Sequence, residues 1–223
     1  MSNSVIITSA VRTAVGSLGK SLKNVSGDSL GSSVITESIN KSQIKNDEID
    51  EVIMGQVLTG GAGQNPARQA AMKSGIPKEK PAYIVNQVCG SGLRSIASGF
   101  QSIKAGDSKI IIAGGQESMS LAPHAIHLRE GKKLGNTEMT DTMIKDGLWD
   151  AFHGYHMGVT AENVATKFQV TRDDQDKFAL NSQEKALKAK KEKRFKDEIV
   201  NFKIKSKKSE INFNEDEHPR EGI

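Results

Sequence analysis

One cysteine occurs in the 223 residues, at position 89, where an apolar segment ends in Cys89-Gly90-Ser91-Gly92. Apolar residues recur beyond it at the spacing of one helix face, at Leu93, Ile96, Ala97, Phe100 and Ile103. The pattern predicts that Cys89 lies at the N-terminus of a helix whose apolar face packs on a sheet. Amide groups and the helix dipole stabilise a thiolate there, which is the form of cysteine that attacks acyl carbon. The same amides can hold the oxyanion.

Two other interpretations of this segment stay open from the residues alone. A free cysteine is commonly a small buried apolar residue, so Cys89 is equally a packing residue. Ser91 is a rival nucleophile, although the elbow pattern G-x-S-x-G requires glycine at position 89. Gly90 and Gly92 favour the nucleophile, because they leave room for a substrate carbonyl to approach the backbone.

A second candidate site follows the apolar residues 5–9, where residues 16–21 read GSLGKS. This ending resembles a phosphate-binding loop, but the pattern G-x-x-x-x-G-K-[ST] requires glycine where Ala14 stands, and Ser26-Gly27-Asp28 interrupts the helix that should follow. Residues 60–63 fail as a dinucleotide fingerprint, since Pro66 occupies the third small position. Nucleotide binding is therefore a disfavoured alternative.

The histidines include two spaced pairs, His124 with His127 and His153 with His156. Neither pair belongs to an H-E-x-x-H motif or is accompanied by a convergent carboxylate. The sequence therefore predicts no metal site.

Bulk composition excludes several classes of protein. The hydrophobic share of 36% and the charged share of 26% are typical of globular proteins. An aromatic share of 4% and a net charge of +4 argue against nucleic-acid binding. A single cysteine forms no internal disulfide, and the sequence shows neither a secretion signal nor an apolar run of roughly 20 residues. We expect a cytoplasmic protein that does not associate with membranes.

Strand patterns alternate with helix patterns along the first half of the chain, and they predict the elements that position Cys89. Strands are predicted at residues 5–9, 51–57, 82–88 and 109–113, with helices between them. Asp28 is expected to cap the first helix and Asn65-Pro66 to begin the second. This alternation predicts an α/β fold with a mostly parallel sheet and helices on both faces.

The second half of the chain is less regular. Residues 117–158 lack a sustained period, which indicates a long inserted loop domain. Thr171 and Asp174 have the spacing of a capping box, and the helix they begin is expected to bury Phe178, Ala179, Ser182 and Ala186. Residues 200–204 then alternate as a strand that pairs with residues 211–213. We expect two domains, an α/β core domain over residues 1–118 and a loop domain over residues 119–223.

Long segments of the chain resemble the thiolases, specifically their biosynthetic type. These segments are VRTAVGSLGKSL at 11–22, GQNPARQAA at 63–71, NQVCGSGLRSI at 86–96, AGGQESMS at 113–120, DGLWDAFHGYHMG at 146–158 and DEHPR at 216–220. The resemblance implies a thiolase-like layered fold and a two-step transfer in which Cys89 takes an acetyl group from acetyl-CoA. A second acetyl-CoA then receives it to give acetoacetyl-CoA, and thiolysis is the reverse.

The resemblance also implies binding residues and partners. It places Leu148, His156 and Met157 along the pantetheine of coenzyme A and Arg220 against the adenine end, with the thioester as substrate and no separate cofactor. It implies a homotetramer formed through residues 120–142, with His124 and His127 at the interface.

Two departures from the family pattern limit the resemblance. Glu221 stands where proline is common, which bears on the aim of Arg220. The asparagine, the activating histidine and the second cysteine of the family belong to a C-terminal half that the 223 residues lack. We therefore expect a truncated chain that cannot complete the condensation alone, and the alternative is an inactive remnant or one part of a split enzyme.

Overall fold

The computed structural model describes residues 4–205 and 210–222. The elements that surround the cysteine are β1 (Arg12–Thr13), α1 (Gly27–Ser42), a 3-10 turn (Asn46–Glu48), β2 (Glu51–Gly55), α2 (Pro66–Lys73), β3 (Ala82–Val85), α3 (Ser91–Ala105) and β4 (Ile111–Gly115).

The remaining elements follow β4 along the chain. They are a 3-10 turn (Met119–Leu121), β5 (His124–Ala125), β6 (Thr140–Asp141), a π-helix (Met143–Leu148), α4 (Met157–Phe168), α5 (Arg172–Lys191), β7 (Ile199–Val200), β8 (Phe202–Lys205) and β9 (Glu210–Phe213). Among the described residues, no helix is long and apolar enough to cross a bilayer.

The central sheet has three parallel strands in the order β3-β2-β4. Val52 and Met54 of β2 point into a core that α1 and α2 complete, whereas Gly55 lies against the start of α3. Because alternate residues of a strand face opposite sides, helices cover both faces of this sheet. The prediction of an α/β fold with a mainly parallel sheet is confirmed.

The prediction that residues 5–9 form a buried strand is wrong. These residues belong to no strand, and Ile6 and Ile7 are 75% and 78% exposed. β-Branched residues favour a strand only where a neighbouring strand accepts their hydrogen bonds, and the described residues offer none to this segment. Pairing begins at Arg12, where β1 runs parallel to β7.

The N-termini of α1 and α2 test two capping predictions. Asn65 caps α2 as expected, since its side chain accepts from the Arg68 amide at 3.1 Å. Asp28 does not cap α1, because the N-cap position is occupied by Ser26. Asp28 lies buried in the first turn and pairs with Lys73 of α2. Its role is to join the two helices.

Helix α3 packs on β2 and β4 through small residues, not through the predicted apolar face. The buried residues are Ser91, Ser95 and Gly99, whereas Leu93 is 74% and Phe100 50% exposed. Residues without bulky side chains allow the helix axis to come close to the sheet, so the apolar stripe is turned outward. The amphipathic pattern was real, but it marks the face away from this sheet.

Removal of a small polar group from the buried face of α3 should therefore destabilise the protein more than truncation of a large apolar side chain on its exposed face. Ser95 is fully buried, and its hydroxyl lies 2.7 Å from the Gly92 carbonyl oxygen and 2.6 Å from that of Gly114. Ser95→Ala should lower the free energy of unfolding by about 1 kcal/mol. Leu93→Ala should change it by less than about 0.5 kcal/mol, because the side chain is exposed. Urea unfolding followed by circular dichroism measures both, and a larger loss for Leu93→Ala would contradict this packing.

Later parts of the chain give a mixed outcome. Thr171 and Asp174 form the predicted capping box, and β8 pairs with β9 antiparallel, with Phe202 opposite Phe213. The predicted buried side of α5 is wrong, because Phe178 is 76% exposed. The capping pattern depends on local hydrogen bonds, whereas burial depends on what packs against the helix.

Candidate active site

Three loops meet at the carboxyl edge of the central sheet. They follow β2 at residues 56–58, β3 at residues 86–90 and β4 at residues 116–118. The carboxyl ends of parallel strands lie at one edge, which is where open α/β sheets bind ligands. The candidate nucleophile belongs to the second of these loops.

Cys89 lies directly before α3 and is exposed. Gly90 is the N-cap, and the first bond of the helix runs from the Arg94 amide to the Gly90 carbonyl at 2.8 Å. The amides of Gly92 and Leu93 in the first turn therefore lack partners within the helix, whereas the amide of Ser91 donates to the Val88 carbonyl at 3.0 Å. Their dipoles favour negative charge there, on the sulfur or on a substrate oxygen. This placement agrees with the sequence prediction and excludes Cys89 as a buried packing residue in this structure.

Ser91, the rival nucleophile, is 4% exposed, and its hydroxyl is engaged with the backbone. Its Oγ accepts from the Gln87 amide at 2.9 Å and donates to the Val88 carbonyl at 2.6 Å. A substrate carbonyl approaching from solvent meets Cys89 and not Ser91. The geometry therefore favours the cysteine.

Glu117 is a further candidate site residue, which no sequence motif marked. Its carboxylate accepts hydrogen bonds from the amides of Val57 at 2.8 Å and Leu58 at 3.3 Å. Burial raises the pKa of Glu117, although these backbone amides act in the opposite direction. The Asn86 side chain reaches the Val57 carbonyl at 3.5 Å, so all three loops are joined. A carboxylate just after a predicted strand was the signal available in the sequence.

Three of the four predicted coenzyme A residues lie together. An antiparallel bridge pairs Trp149 with His156, so Leu148 and Met157 are the chain neighbours of the two paired residues. His156 is the N-cap of α4, and its Nδ1 accepts from the Gly158 amide at 3.0 Å. Met157 is 38% exposed. The three residues thus form one surface, while their contact with coenzyme A stays a prediction.

This surface is linked to the carboxyl edge of the sheet. A Cβ built on Gly147 would lie 3.8 Å from Cδ2 of Leu58, the residue whose amide Glu117 holds. The segment around Gly147 and the loop that contains Cys89 therefore approach the same edge of the sheet.

Arg220, the fourth predicted residue, is exposed and lies at a different place. Its backbone amide donates to the side chain of Gln183 on α5 at 3.2 Å. The contacts described for Arg220 do not join it to Leu148, His156 or Met157.

The predicted oligomerisation segment contains a short hairpin. β5 pairs with β6, and His124 Nε2 lies 3.9 Å from an Asp141 carboxylate oxygen. Between the two strands the chain is largely exposed, with Leu134 at 92% and Met139 at 66%. His127 is also exposed. These exposures leave apolar side chains available to a partner, and the tetramer itself stays a prediction.

The phosphate-loop alternative does not agree with the structure. Glu217 fills the loop of residues 16–21: its carboxylate accepts from the Ser17 amide at 2.8 Å and from the Ser21 hydroxyl. Helix α1 begins only at Gly27, well after the loop. Across the described residues, no group of three or more His, Cys, Asp or Glu side chains could hold a metal ion.

Comparison with known proteins identifies the family. A family model described as "Thiolase, N-terminal domain" matches residues 5–223. An acetyl-CoA acetyltransferase of Rhizobium meliloti is 57% identical over 223 residues, which is 100% of this chain and 57% of that protein. The cytosolic acetyl-CoA acetyltransferase of Rattus norvegicus is 48% identical over 221 residues, covering 99% of this chain and 56% of that protein.

A solved structure shows the same relation. The crystal structure of the Bacillus anthracis acetyl-CoA acetyltransferase has a TM-score of 0.94 and 38% identity, covering 98% of this chain and 55% of that one. The chain thus spans just over half the length of these relatives. The chain therefore belongs to the thiolase family and contains that family's N-terminal domain.

Proposed function

We propose that Cys89 is the acyl-accepting nucleophile of an acetyl-CoA acetyltransferase. In the first step the sulfur attacks the acetyl carbon of acetyl-CoA, the C–S bond to coenzyme A breaks, and the thiol proton of Cys89 leaves with the coenzyme A sulfur. In the second step a base removes a methyl proton from another acetyl-CoA. The resulting carbanion attacks the acetyl group, which frees Cys89 and gives acetoacetyl-CoA. Thiolysis is the reverse.

The observation that supports this proposal is the position of one sulfur. Cys89 is exposed at the N-terminus of a 15-residue helix, next to glycines at positions 90 and 92. An acyl carbon can reach it from solvent, and first-turn amides can stabilise the oxyanion that forms. The names of the relatives, acetyl-CoA acetyltransferases, give the substrate class.

Coenzyme A would lie over the surface formed by Leu148, His156 and Met157. The apolar side chains suit the pantetheine, and Arg220 would contact the adenine end, where coenzyme A carries phosphate charge. We propose that the chain divides into a core domain over residues 1–118, which contains Cys89, and a loop domain over residues 119–223, which contains the proposed coenzyme A contacts. We also propose that no cofactor is needed beyond the thioester, and that the protein works in the cytoplasm as a homotetramer through residues 120–142.

The second step needs groups that these 223 residues do not supply. The resemblance assigns the asparagine, the activating histidine and the base cysteine to the other half of the enzyme. We propose that the chain alone accepts an acetyl group but does not complete the condensation.

A second candidate, an interaction-only remnant or one part of a split enzyme, is favoured by the outer face of α3. Leu93 and Phe100 are 74% and 50% exposed on the helix that carries the nucleophile, with Ile96 between them at 43%. Such a contiguous apolar face is typical of a surface that another segment covers.

Incubation with acetyl-CoA followed by peptide mass spectrometry distinguishes the two. We expect one acetyl group on the peptide that contains Cys89, and none after Cys89→Ala. Circular dichroism of the same samples establishes whether the chain is folded. A folded chain without acetyl on Cys89 would contradict the proposed nucleophile, whereas an unfolded chain without the adduct would favour the remnant.

A further inference from the structure

The turn that presents Cys89 contains a strained residue. Val88 has a φ of +48°. The other non-glycine residues with positive φ in the described chain are Gln43, Asn65, Gln169 and Lys193, and the first three are caps at helix ends. Positive φ is an outlier for a β-branched residue, and such strain persists only where the surroundings enforce it.

Side-chain packing does not enforce it, since Val88 is 48% exposed. Hydrogen bonds hold the peptide groups on both sides of it instead. The Val88 amide donates to Asn86 Oδ1 at 3.0 Å, and the Val88 carbonyl accepts from the Ser91 hydroxyl at 2.6 Å. The Ser91 hydroxyl also accepts from the Gln87 amide at 2.9 Å, so one buried side chain closes the turn from within.

Two backbone hydrogen bonds also close the turn, but they do not depend on which side chain residue 88 carries. The Gly90 amide donates to the Gln87 carbonyl at 3.1 Å, and the Ser91 amide to the Val88 carbonyl at 3.0 Å. Glycine at position 88 would form the same bonds without steric cost, because it adopts positive φ freely. With valine present, loss of the side-chain bonds leaves the strain uncompensated.

We propose that Ser91 is a positioning residue that holds Val88 in its strained conformation and thereby fixes where the Cys89 thiol lies. The inference rests on the proposed role of Cys89 as the nucleophile. If Val88 relaxed toward negative φ, the peptide group between residues 88 and 89 would rotate. That rotation carries the sulfur away from the amides that begin α3.

The test uses the reactivity of the only cysteine in the chain. The rate of alkylation by iodoacetamide, measured at several pH values, reports Cys89 without any need for coenzyme A to bind. Ser91→Ala should lower this rate about tenfold, because small displacements of a reacting atom produce large changes in rate. Adding Val88→Gly to Ser91→Ala should restore the rate to within about twofold, since glycine removes the strain that Ser91 opposes.

The matched control is Ser95→Ala, which removes a hydroxyl equally buried on the same helix face but not bonded to the turn. It should leave the rate of alkylation unchanged. Should Ser91→Ala not fold by circular dichroism, Asn86→Ala replaces it, with the same loss and the same rescue expected. An unchanged rate in Ser91→Ala, or a double variant that stays slow, would overturn the inference.

The outcome is separable from that of the proposed function. Alkylation and rescue can follow the expected pattern in a chain that takes no acetyl group from acetyl-CoA, in which case only the acyl-transfer proposal fails. Acetylation of Cys89 with unaltered reactivity in Ser91→Ala would leave the proposed function standing and remove the role of Ser91.

Discussion

Gly55→Ala is expected to lower the free energy of unfolding by about 3 kcal/mol, at the upper end of the cost of overpacking a core. A Cβ at this position would lie 2.4 Å from the carbonyl carbon of Ser91 and 2.5 Å from the Gly92 amide nitrogen. Both atoms are backbone, so no side chain can rotate away. Either β2 or the first turn of α3 must move, and the turn that contains Cys89 moves with α3.

The same variant should therefore slow alkylation of Cys89 as well as lower stability. Urea unfolding and the iodoacetamide rate measure the two effects. Gly114→Ala on the adjacent strand is the matched control, because its Cβ would meet only Met54 Sδ at 4.0 Å, an ordinary van der Waals distance. Equal stabilities of the two variants would contradict the close approach of α3 to β2.

The close approach of α3 to β2 also explains why the buried face of α3 was predicted wrongly from the sequence. The apolar spacing of Leu93, Ile96 and Phe100 correctly predicted a helix, but amphipathicity does not say which neighbour a face meets. Gly55 and the small residues Ser95 and Gly99 determine that the helix lies on the sheet through its small side, and they are brought together only by the fold. The position of Cys89 before this helix was predictable, because it depends on the local pattern alone.

Contacts between residues that are far apart in the sequence could not be predicted either. Residues 5–9 have strand propensity, but their exposure follows from which strands are adjacent, and local sequence does not contain that information. Glu117 contacts amides about 60 residues earlier in the chain, and Arg12 pairs with Asp216 across 204 residues. By contrast, the Asn65 cap and the Thr171 capping box were predictable because their hydrogen bonds span three residues.

The Arg12 cluster fastens the N-terminal loop to the segment that contains Arg220. The guanidinium donates to both carboxylate oxygens of Asp216, at 2.8 and 3.0 Å, and its Nε donates to Glu198 at 2.6 Å. It also lies 5.2 Å from the centre of the Phe195 ring. The Val15 amide completes the cluster with a 2.7 Å bond to Asp216.

Arg12→Met should lower the free energy of unfolding by about 2 kcal/mol. The variant leaves Asp216 mostly buried without its cation, while Glu198 contributes less because its side chain is 43% exposed. Arg12→Lys should recover little of the loss, since an ammonium group cannot make the two parallel bonds. Hydrogen exchange should increase in residues 12–21 and 214–222. Arg172→Met is the matched control: it removes an arginine from a pair with Asp176 on the surface and should have no measurable effect.

The stabilisation by Arg12 should also depend on pH in a defined direction. Burial raises the pKa of Asp216, but the hydrogen bonds from Arg12 and the Val15 amide outweigh it, so the pKa lies below its ordinary value of 3.8. A depressed pKa in the folded state means that the stabilisation is complete above the ordinary value and is lost as the pH falls through the folded value. Arg12 stays protonated throughout. The difference in urea midpoint between the wild type and Arg12→Met should therefore be constant near neutrality and shrink in acid as Asp216 becomes protonated, and a difference that grows there would show that Asp216 is not the partner through which Arg12 stabilises the chain.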